Sequence, residues 1–473
     1  MSEHFDVAVI GAGPGGYVAA LKAAQMGAKT AIVEKHYLGG TCLNYGCIPS
    51  KALLSSAELL HQISHAGDWG VKVPSGVSFD WPAIQKRKDK VIAGLRGGIG
   101  SLFKGRKVTL FQAAAKLEGS ARKIILTSES APRREISADH IIIATGSSPI
   151  RIPGWPTDPA IVCTSDEAVH WKDLPRRLLI VGGGVIGCEF ACMCRAFGVE
   201  VTVVEMLPGL LPTLDRDLGA SLLQTFKKRG IVCHLDTKVA EMKIEAGIVR
   251  AALSTGATIE ADRVLVATGR RANTREIGLE SAGIAVTPRG FVKVDDFMRT
   301  SAPGYYCIGD ANGRFLLAHA ASAHAITAVE AALGHGHPFV APIPSAVYTF
   351  PEIGSVGLAE QEARDKNLPI SIGRFALANL GKAMATNHTE GFAKTIRHRE
   401  TDEILGVHMI GHNATECIAA AGALLHTKAT VHDFAEVVFA HPTIGESLKE
   451  SAEDALGMGL HQPPRRLIRV SLN

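Results

Sequence analysis

Cys42 and Cys47 stand five residues apart in the segment Gly39-Gly40-Thr41-Cys42-Leu43-Asn44-Tyr45-Gly46-Cys47-Ile48-Pro49-Ser50-Lys51. Metal-binding cysteine pairs are set roughly two to four residues apart, and the ligands come in fours. An unbroken helix is also excluded as the carrier of a bridge: five residues rise ~7.5 Å, whereas a disulfide needs Cα atoms within roughly 7 Å. A bridge here requires a distorted backbone, which Gly46 can supply. A short, strained loop disulfide is easily reduced, so the pair reads as a redox catalyst.

The elements around the pair supply electrons and a place to hold their carriers. Phe5–Ile10 is an apolar strand followed by Gly11-Ala12-Gly13-Pro14-Gly15-Gly16 and an alanine-rich helical run to Gly27. Arg177–Val181 repeats the pattern with Gly182-Gly183-Gly184-Val185-Ile186-Gly187 and a helical run to Gly198. Such glycines allow a tight turn, close approach of backbone to a pyrophosphate, and helix-on-strand packing. Each copy is followed by a strand ending in glutamate, Glu34 and Glu205, both 23 residues after the first glycine. A carboxylate there accepts ribose hydroxyls and repels a 2′-phosphate. No arginine follows Glu205 until Arg216, so the second site is expected to take NAD and not NADP.

A second repeat runs Ala138–Gly146 and Ala261–Gly269, each a strand entering a Thr-Gly turn. The chain thus holds two similar nucleotide modules, the second inserted in the first. Gly304-Tyr305-Tyr306-Cys307-Ile308-Gly309-Asp310 marks the return to the first module, and Leu317-Ala318-His319 opens a further helix. Asp310 can bind a ribityl hydroxyl. Two nucleotide sites and a dithiol pair imply an electron relay, and a flavin mediates between hydride and disulfide.

The remaining composition narrows the setting. At 473 residues the length suggests about three domains. Fifty basic residues against 46 acidic ones give +4, spread without a basic block, so nucleic-acid binding is not expected. No apolar run reaches the ~18 residues of a membrane span. Met1–His4 leads straight into a strand without a targeting segment, and nine cysteines in a long chain suit a reducing cytoplasm. Cys188, Cys192 and Cys194 read as small core residues, and His324, His335, His337, His426 and His432 read as ordinary core or surface histidines without a catalytic role; no metal site is expected.

On these residues the chain resembles the flavin-dependent pyridine nucleotide–disulfide oxidoreductases of class I, along its whole length. The most specific segments are Gly39–Lys51, Gly304–His319 and His441-Pro442-Thr443-Ile444-Gly445-Glu446. Cys-Leu-Asn before the second cysteine, Leu317-Ala318-His319, and Glu205 without nearby arginines are similar to the lipoamide branch. Mercuric reductases carry a further C-terminal cysteine pair, whereas the last cysteine here is Cys417. Transhydrogenases of this fold lack the redox cysteines. Gly445 stands where the branch usually has serine, and Tyr45 where valine or arginine is commoner.

The resemblance implies an α/β fold of two Rossmann-like domains plus a C-terminal α+β dimerisation domain. The expected boundaries are 1–148 and 272–341 for FAD, 149–271 for NAD, and 342–473 for the interface domain, with Pro338, Pro342 and Pro344 at the last junction. It implies that Cys42 is attacked by substrate, that Cys47 lies nearer the flavin, and that His441, oriented by Glu446, takes the thiol proton. Lys51 and Glu189 are implied as an ion pair near the flavin ring. FAD would be held by Gly11, Gly13, Pro14, Gly15, Gly16, Glu34 and Lys35, by Gly40, Thr41, Cys42, Cys47 and Lys51 in the redox segment, and by Ala115, Thr145, Gly146 and Ser147. Gly309, Asp310, Leu317, Ala318 and His319 complete that site. NAD would meet Gly182, Gly184, Val185, Ile186, Gly187, Glu205, Val239, Thr268 and Gly269.

The implied activity is oxidation of protein-bound dihydrolipoamide with NAD⁺. The implied partners are a second copy, whose flavin site His441 and Glu446 reach, and a lipoylated carrier or acyltransferase of a 2-oxo-acid dehydrogenase, glycine-cleavage or similar system. The alternative is an FAD-dependent NAD(P)H reductase of another disulfide, as in glutathione reductases.

Overall fold

Apolar runs such as Val7–Ile10, Thr30–Val33 and Ile141–Ile143 are buried on both sides, as parallel strands in a sheet covered on both faces must be. The computed structural model describes residues 3–74, 76–119, 122–129 and 132–463; residues 1 and 2 of the first expected domain and the tail 464–473, with Leu467–Asn473, lie outside them. The chain forms two compact units. One comprises Met1–Ser56, Ser78–Leu174 and Leu265–Val340, the other Ala57–Val77, Pro175–Val264 and Ala341–Asn473.

In the first unit, Glu3–Ile10 lies between Thr30–Glu34 and Arg134–Ile143, all parallel, with Thr109–Gln112 beyond Thr30–Glu34. The far edge of Arg134–Ile143 is shared by antiparallel Lys123–Thr127 and parallel Tyr305–Cys307. Ile32 and Ile142 face one layer, while Ala31, Val33, Ile141 and Ile143 face the other. Each buried isoleucine or valine among them contributes about 1.5–3 kcal/mol by burial. The first layer contains the helices Pro14–Gln25 and Ala318–Ala332, which meet through Ala19, Ala20, Ala23, Ala325 and Ala328. Methyl-sized contacts let their backbones come close to one another and to the sheet.

The chain leaves this module through Ser147–Pro149 and returns through Arg270–Ala272. These two strands pair antiparallel, Ser147 opposite Ala272 and Pro149 opposite Arg270. Each Thr-Gly turn therefore lies beside the other: Ile150 N donates to Gly269 O at 3.0 Å, and Asn273 N to Gly146 O at 2.9 Å.

In the second unit, Arg177–Val181, Glu200–Val204 and Val232–His234 are parallel neighbours, and Val239–Glu245, Ile248–Leu253 and Thr258–Ala261 form an antiparallel meander. The C-terminal sheet has the order Ser345–Val347, Glu352–Gly357, Ile404–Gly411, Phe392–His398, Ile370–Ala376. Ser345–Val347 and Glu352–Gly357 are two strands and not one, because Pro351 has no N–H for a ladder and sits in the bend between them. Helices Ala414–His426 and Glu446–Ala455 close a core built on Val356, Phe375, Val407, Ile418 and Leu448.

A buried charge cluster ties this unit together. Lys394 Nζ bonds both oxygens of Asp215 at 2.9 and 3.0 Å, Asp217 at 2.9 Å and Glu360 at 2.7 Å. Asp215 also caps the helix Arg216–Lys228.

Candidate active site

The helix expected to be unable to carry the cysteine pair is broken between the two sulfurs. Gly40–Asn44 is one short helix, Tyr45 and Gly46 interrupt it, and Cys47 begins the helix Cys47–Ser64. A Cβ on Gly46 would lie 3.2 Å from Thr41 O and 3.5 Å from Cys42 Cα, so glycine lets the second helix start against the first cysteine. Upstream, a Cβ on Gly40 would sit 2.6 Å from Gly13 Cα, which seats the redox segment directly on the first fingerprint turn. Cys42 is half-buried and Cys47 exposed. The Cys47 thiol, then burial, push the Cys42 thiol up, and the Lys51 ammonium pulls it down.

The two nucleotide turns are built alike. A Cβ on Gly16 would fall 1.8 Å from Gly11 O, and one on Gly187 would fall 1.9 Å from Gly182 O. Neither following helix has a side-chain cap at Gly13 or Gly184, so its first-turn amides suit a pyrophosphate. Glu34 accepts from Ala12 N at 2.8 Å and His36 N at 2.7 Å. Glu205 accepts from Gly183 N at 2.6 Å and Leu207 N at 2.8 Å. The carboxylates thus brace the glycine turns and keep lone pairs for a ribose, a structural duty that their position at a strand end does not announce.

Further residues expected at the flavin converge on the same unit. Thr145 Oγ1 is buried without a hydrogen-bond partner, an atom that a bound dinucleotide could satisfy. Ser147 Oγ donates to Asp310 Oδ2 at 2.5 Å. Burial pushes the Asp310 carboxyl up, while Ser147 and Arg270 oppose that shift. Gly309 is left-handed, and Leu317 caps the helix that Ala318 begins, with His319 exposed on its first turn. Pro14 and Gly15 form the first turn of their helix, Gly146 takes a positive φ, Lys35 is exposed after Glu34, and Ala115 lies in the strand Ala114–Glu118. The donor set and the glycine cradle fit FAD.

In the second module, Val185 and Ile186 form the first helical turn and Val239 starts its strand. Thr268 and the left-handed Gly269 are exposed. The first helical turn at Val185 and Ile186 and the turn braced by Glu205 fit a nicotinamide dinucleotide.

His441 Nδ1 lies 2.8 Å from Glu446 Oε1, and Glu446 Oε2 accepts from Thr443 N at 2.7 Å. The carboxylate therefore fixes the ring, which is 79% exposed in this chain. A Cβ on Gly445 would meet the Phe439 ring at 3.3 Å, so the glycine lets that ring pack against the turn. Lys51 lies on the redox helix. Glu189 is buried, and its Oε1 accepts from Tyr348 N at 3.0 Å.

Sequence reasoning passed over Arg270, whose Nε donates to Ser147 Oγ at 2.7 Å and whose Nη2 donates to Ser147 O at 2.8 Å. Its place directly after the second Thr-Gly turn was the available signal. Asn44 was read only as part of a motif, yet its Nδ2 donates to Leu38 O at 3.0 Å and Gly40 O at 2.8 Å. Cys188, Cys192 and Cys194 are buried core residues. His324 is also buried, but both ring nitrogens lack partners, and burial lowers its pKa to about 4.

The sequence matches the pyridine nucleotide-disulphide oxidoreductase family over residues 5–325 and that family's dimerisation domain over 343–452. A dihydrolipoyl dehydrogenase of Chlamydia muridarum is 41% identical, covering 98% of this chain and 100% of that protein. The dihydrolipoyl dehydrogenase of Bacillus subtilis is 40% identical with the same coverage. Among solved structures, LpdA of Mycobacterium tuberculosis superposes with a TM-score of 0.89 at 28% identity, over 95% of this chain and 99% of that one. The flavoprotein disulfide reductase RclA of Escherichia coli gives 0.85 at 26% identity, over 96% and 99%. With both modules, the redox pair and the C-terminal domain in place, the chain belongs to the pyridine nucleotide-disulphide oxidoreductases and shares its full length with their dihydrolipoyl dehydrogenases.

Proposed function

We propose that this chain is a dihydrolipoyl dehydrogenase, which reoxidises protein-bound dihydrolipoamide and passes the electrons to NAD⁺. The observation that carries the reading is the broken helix that sets Cys42 and Cys47 against each other on the first nucleotide turn, within a chain alignable end to end with dihydrolipoyl dehydrogenases. The family uses FAD and NAD. When bound, FAD supplies the two-electron link between a dithiol and a nicotinamide.

The residues divide the work as follows. His441 Nε2, free of the Glu446 contact at Nδ1, takes a proton from a dihydrolipoyl thiol. The thiolate attacks Cys42 Sγ, the Cys42–Cys47 bond breaks, and Cys47 leaves as thiolate. The second substrate thiol attacks the mixed disulfide and frees Cys42. Two electrons and two protons leave the substrate; the pair is reduced and the lipoyl ring closes. Lys51, whose charge favours the Cys42 thiolate, and Glu189 act as an ion pair at the flavin ring in this reading.

The FAD residues named above form one site on 1–148 and 272–341, NAD binds 149–271, and 342–473 is the interface domain. The antiparallel pairing of Ser147–Pro149 with Arg270–Ala272 supports those first two boundaries. The dimerisation domain supports a homodimer, and the exposure of His441 supports its service, with Glu446, to the flavin of the second subunit. The donor of dihydrolipoamide is a lipoylated carrier or acyltransferase protein. No helix among the described residues is long and apolar enough to cross a membrane, and the cysteine usage supports a cytoplasmic setting. Dilution tests the dimer: activity must fall with dissociation while FAD stays bound, and a fully active monomer would refute the shared site.

A further inference from the structure

Asn44, between the two redox cysteines, is held from outside by residues that the proposed chemistry does not use. Arg96 Nη2 donates to Asn44 Oδ1 at 2.5 Å, and the guanidinium lies over the Tyr37 ring at 4.1 Å. His170 Nε2 lies 3.2 Å from the Asn44 backbone carbonyl, while Lys88 Nζ lies 3.0 Å from His170 Nδ1. A carbonyl only accepts, so Nε2 carries the proton and Nδ1 accepts from Lys88. Lys88 is 1% exposed and is held in turn by Val169 O at 2.9 Å and Gln85 Oε1 at 2.6 Å, with Asp89 at 3.1 Å. The Tyr45 ring stands edge-on to His170 at 5.8 Å. A cleft of ≈360 Å³ lined by Tyr37, Tyr45, Arg96 and His170 opens beside this chain of contacts.

We propose that Lys88 and His170 are positioning residues for the Cys42–Cys47 pair: Lys88 fixes the His170 tautomer, and His170 clamps the Asn44 carbonyl. The inference rests on the redox reading above. A disulfide that closes a loop already ordered as a dithiol loses less conformational freedom than one that closes a mobile loop. The clamp therefore favours the disulfide. Its loss makes the pair easier to reduce without touching either sulfur.

The test equilibrates the FAD-loaded protein with mixtures of reduced and oxidised glutathione. One oxidised glutathione takes two electrons and two protons from the Cys42 and Cys47 thiols, giving two reduced glutathiones and the protein disulfide. Acid quenching, alkylation and mass spectrometry read the fraction bridged. His170→Phe, which keeps a ring and removes both nitrogens, should lower the equilibrium constant for the disulfide on the order of fivefold, the ratio that one lost hydrogen bond carries. Lys88→Met should move it in the same direction. His170→Gln, whose carboxamide can donate to Asn44 O, should stay within about twofold of the native constant.

A His170→Phe constant equal to the native one, or a His170→Gln constant displaced as far as that of His170→Phe, would overturn the clamp alone. If His170→Phe does not fold, the Lys88→Met constant decides in the same way. A native protein that forms no Cys42–Cys47 disulfide in any mixture overturns the redox reading and the clamp with it.

Discussion

His441 Nδ1 and Glu446 Oε1 are 2.8 Å apart across one tight turn, and the same carboxylate also holds the Thr443 amide. Burial works against the charge on Glu446, but the Thr443 N–H and His441 outweigh it and hold the carboxyl below its ordinary range. The stabilisation it gives is therefore present above that range and is lost as pH falls through the lowered value. The carboxylate stays charged at the pH where the imidazole must act.

His441→Gln should lower the rate of dihydrolipoamide oxidation about 10²–10⁴-fold, the usual loss when a general base is removed. Glu446→Gln should lower it in the same direction by less, because the base survives while its orientation does not. FAD content should be native in both. Stopped-flow mixing with NADH, which bypasses the thiol proton, should show flavin reduction at the native rate.

Cys42→Ser and Cys47→Ser should each abolish dihydrolipoamide oxidation, since each removes half of the two-electron acceptor. Oxidation of NADH by an artificial acceptor should persist in both, because the Glu205 turn and the second module are untouched. Loss of both activities together would show that the cysteines hold the fold and not the relay.

Glu205→Ala removes an acceptor for ribose and also the brace on Gly183 and Leu207. The KM for NAD⁺ should rise about 10–100-fold, as expected for charge-assisted hydrogen bonds, with FAD content unchanged. Glu34→Ala should do the reverse, shedding FAD on gel filtration, because the same brace there supports Ala12.

The glycine turns, their glutamates and the break at Gly46 were legible because each is set by backbone geometry that few other residues permit. The bracing duty of Glu34 and Glu205 was hidden, since the amides that they hold belong to any sequence. Arg270, His170 and Lys88 were illegible for a different reason: Arg270 reaches Ser147, His170 reaches Asn44 and Lys88 reaches His170, each from a segment distant in the chain. Long-range side-chain contacts of that kind leave no periodicity or spacing in the chain.

Lys394 and Asp215 are each 1% exposed, and neither has water to fall back on. Burial opposes the charge on Lys394, but Glu360, Asp215 and Asp217 outweigh it and raise its pKa. Burial likewise opposes Asp215, where His408, the Glu360 N–H and Lys394 outweigh it and lower its pKa. The Lys394 contribution is thus whole below the ordinary lysine range and is lost as pH rises through the raised value. The Asp215 contribution is whole above the ordinary carboxylate range and is lost as pH falls through the lowered one. Lys394→Ala should destabilise the protein by about 3–5 kcal/mol in chemical denaturation, the cost of leaving a buried charge unpaired.

Steady-state oxidation of dihydrolipoamide by the purified flavoprotein, with NAD⁺ and NADP⁺ side by side, tests the whole relay at once. Rapid NADH formation with NAD⁺ and little product with NADP⁺ is the expected result. No turnover of dihydrolipoamide with either nucleotide, together with rapid NADPH-dependent reduction of glutathione disulfide, would contradict it and assign the chain to the reductases of other disulfides.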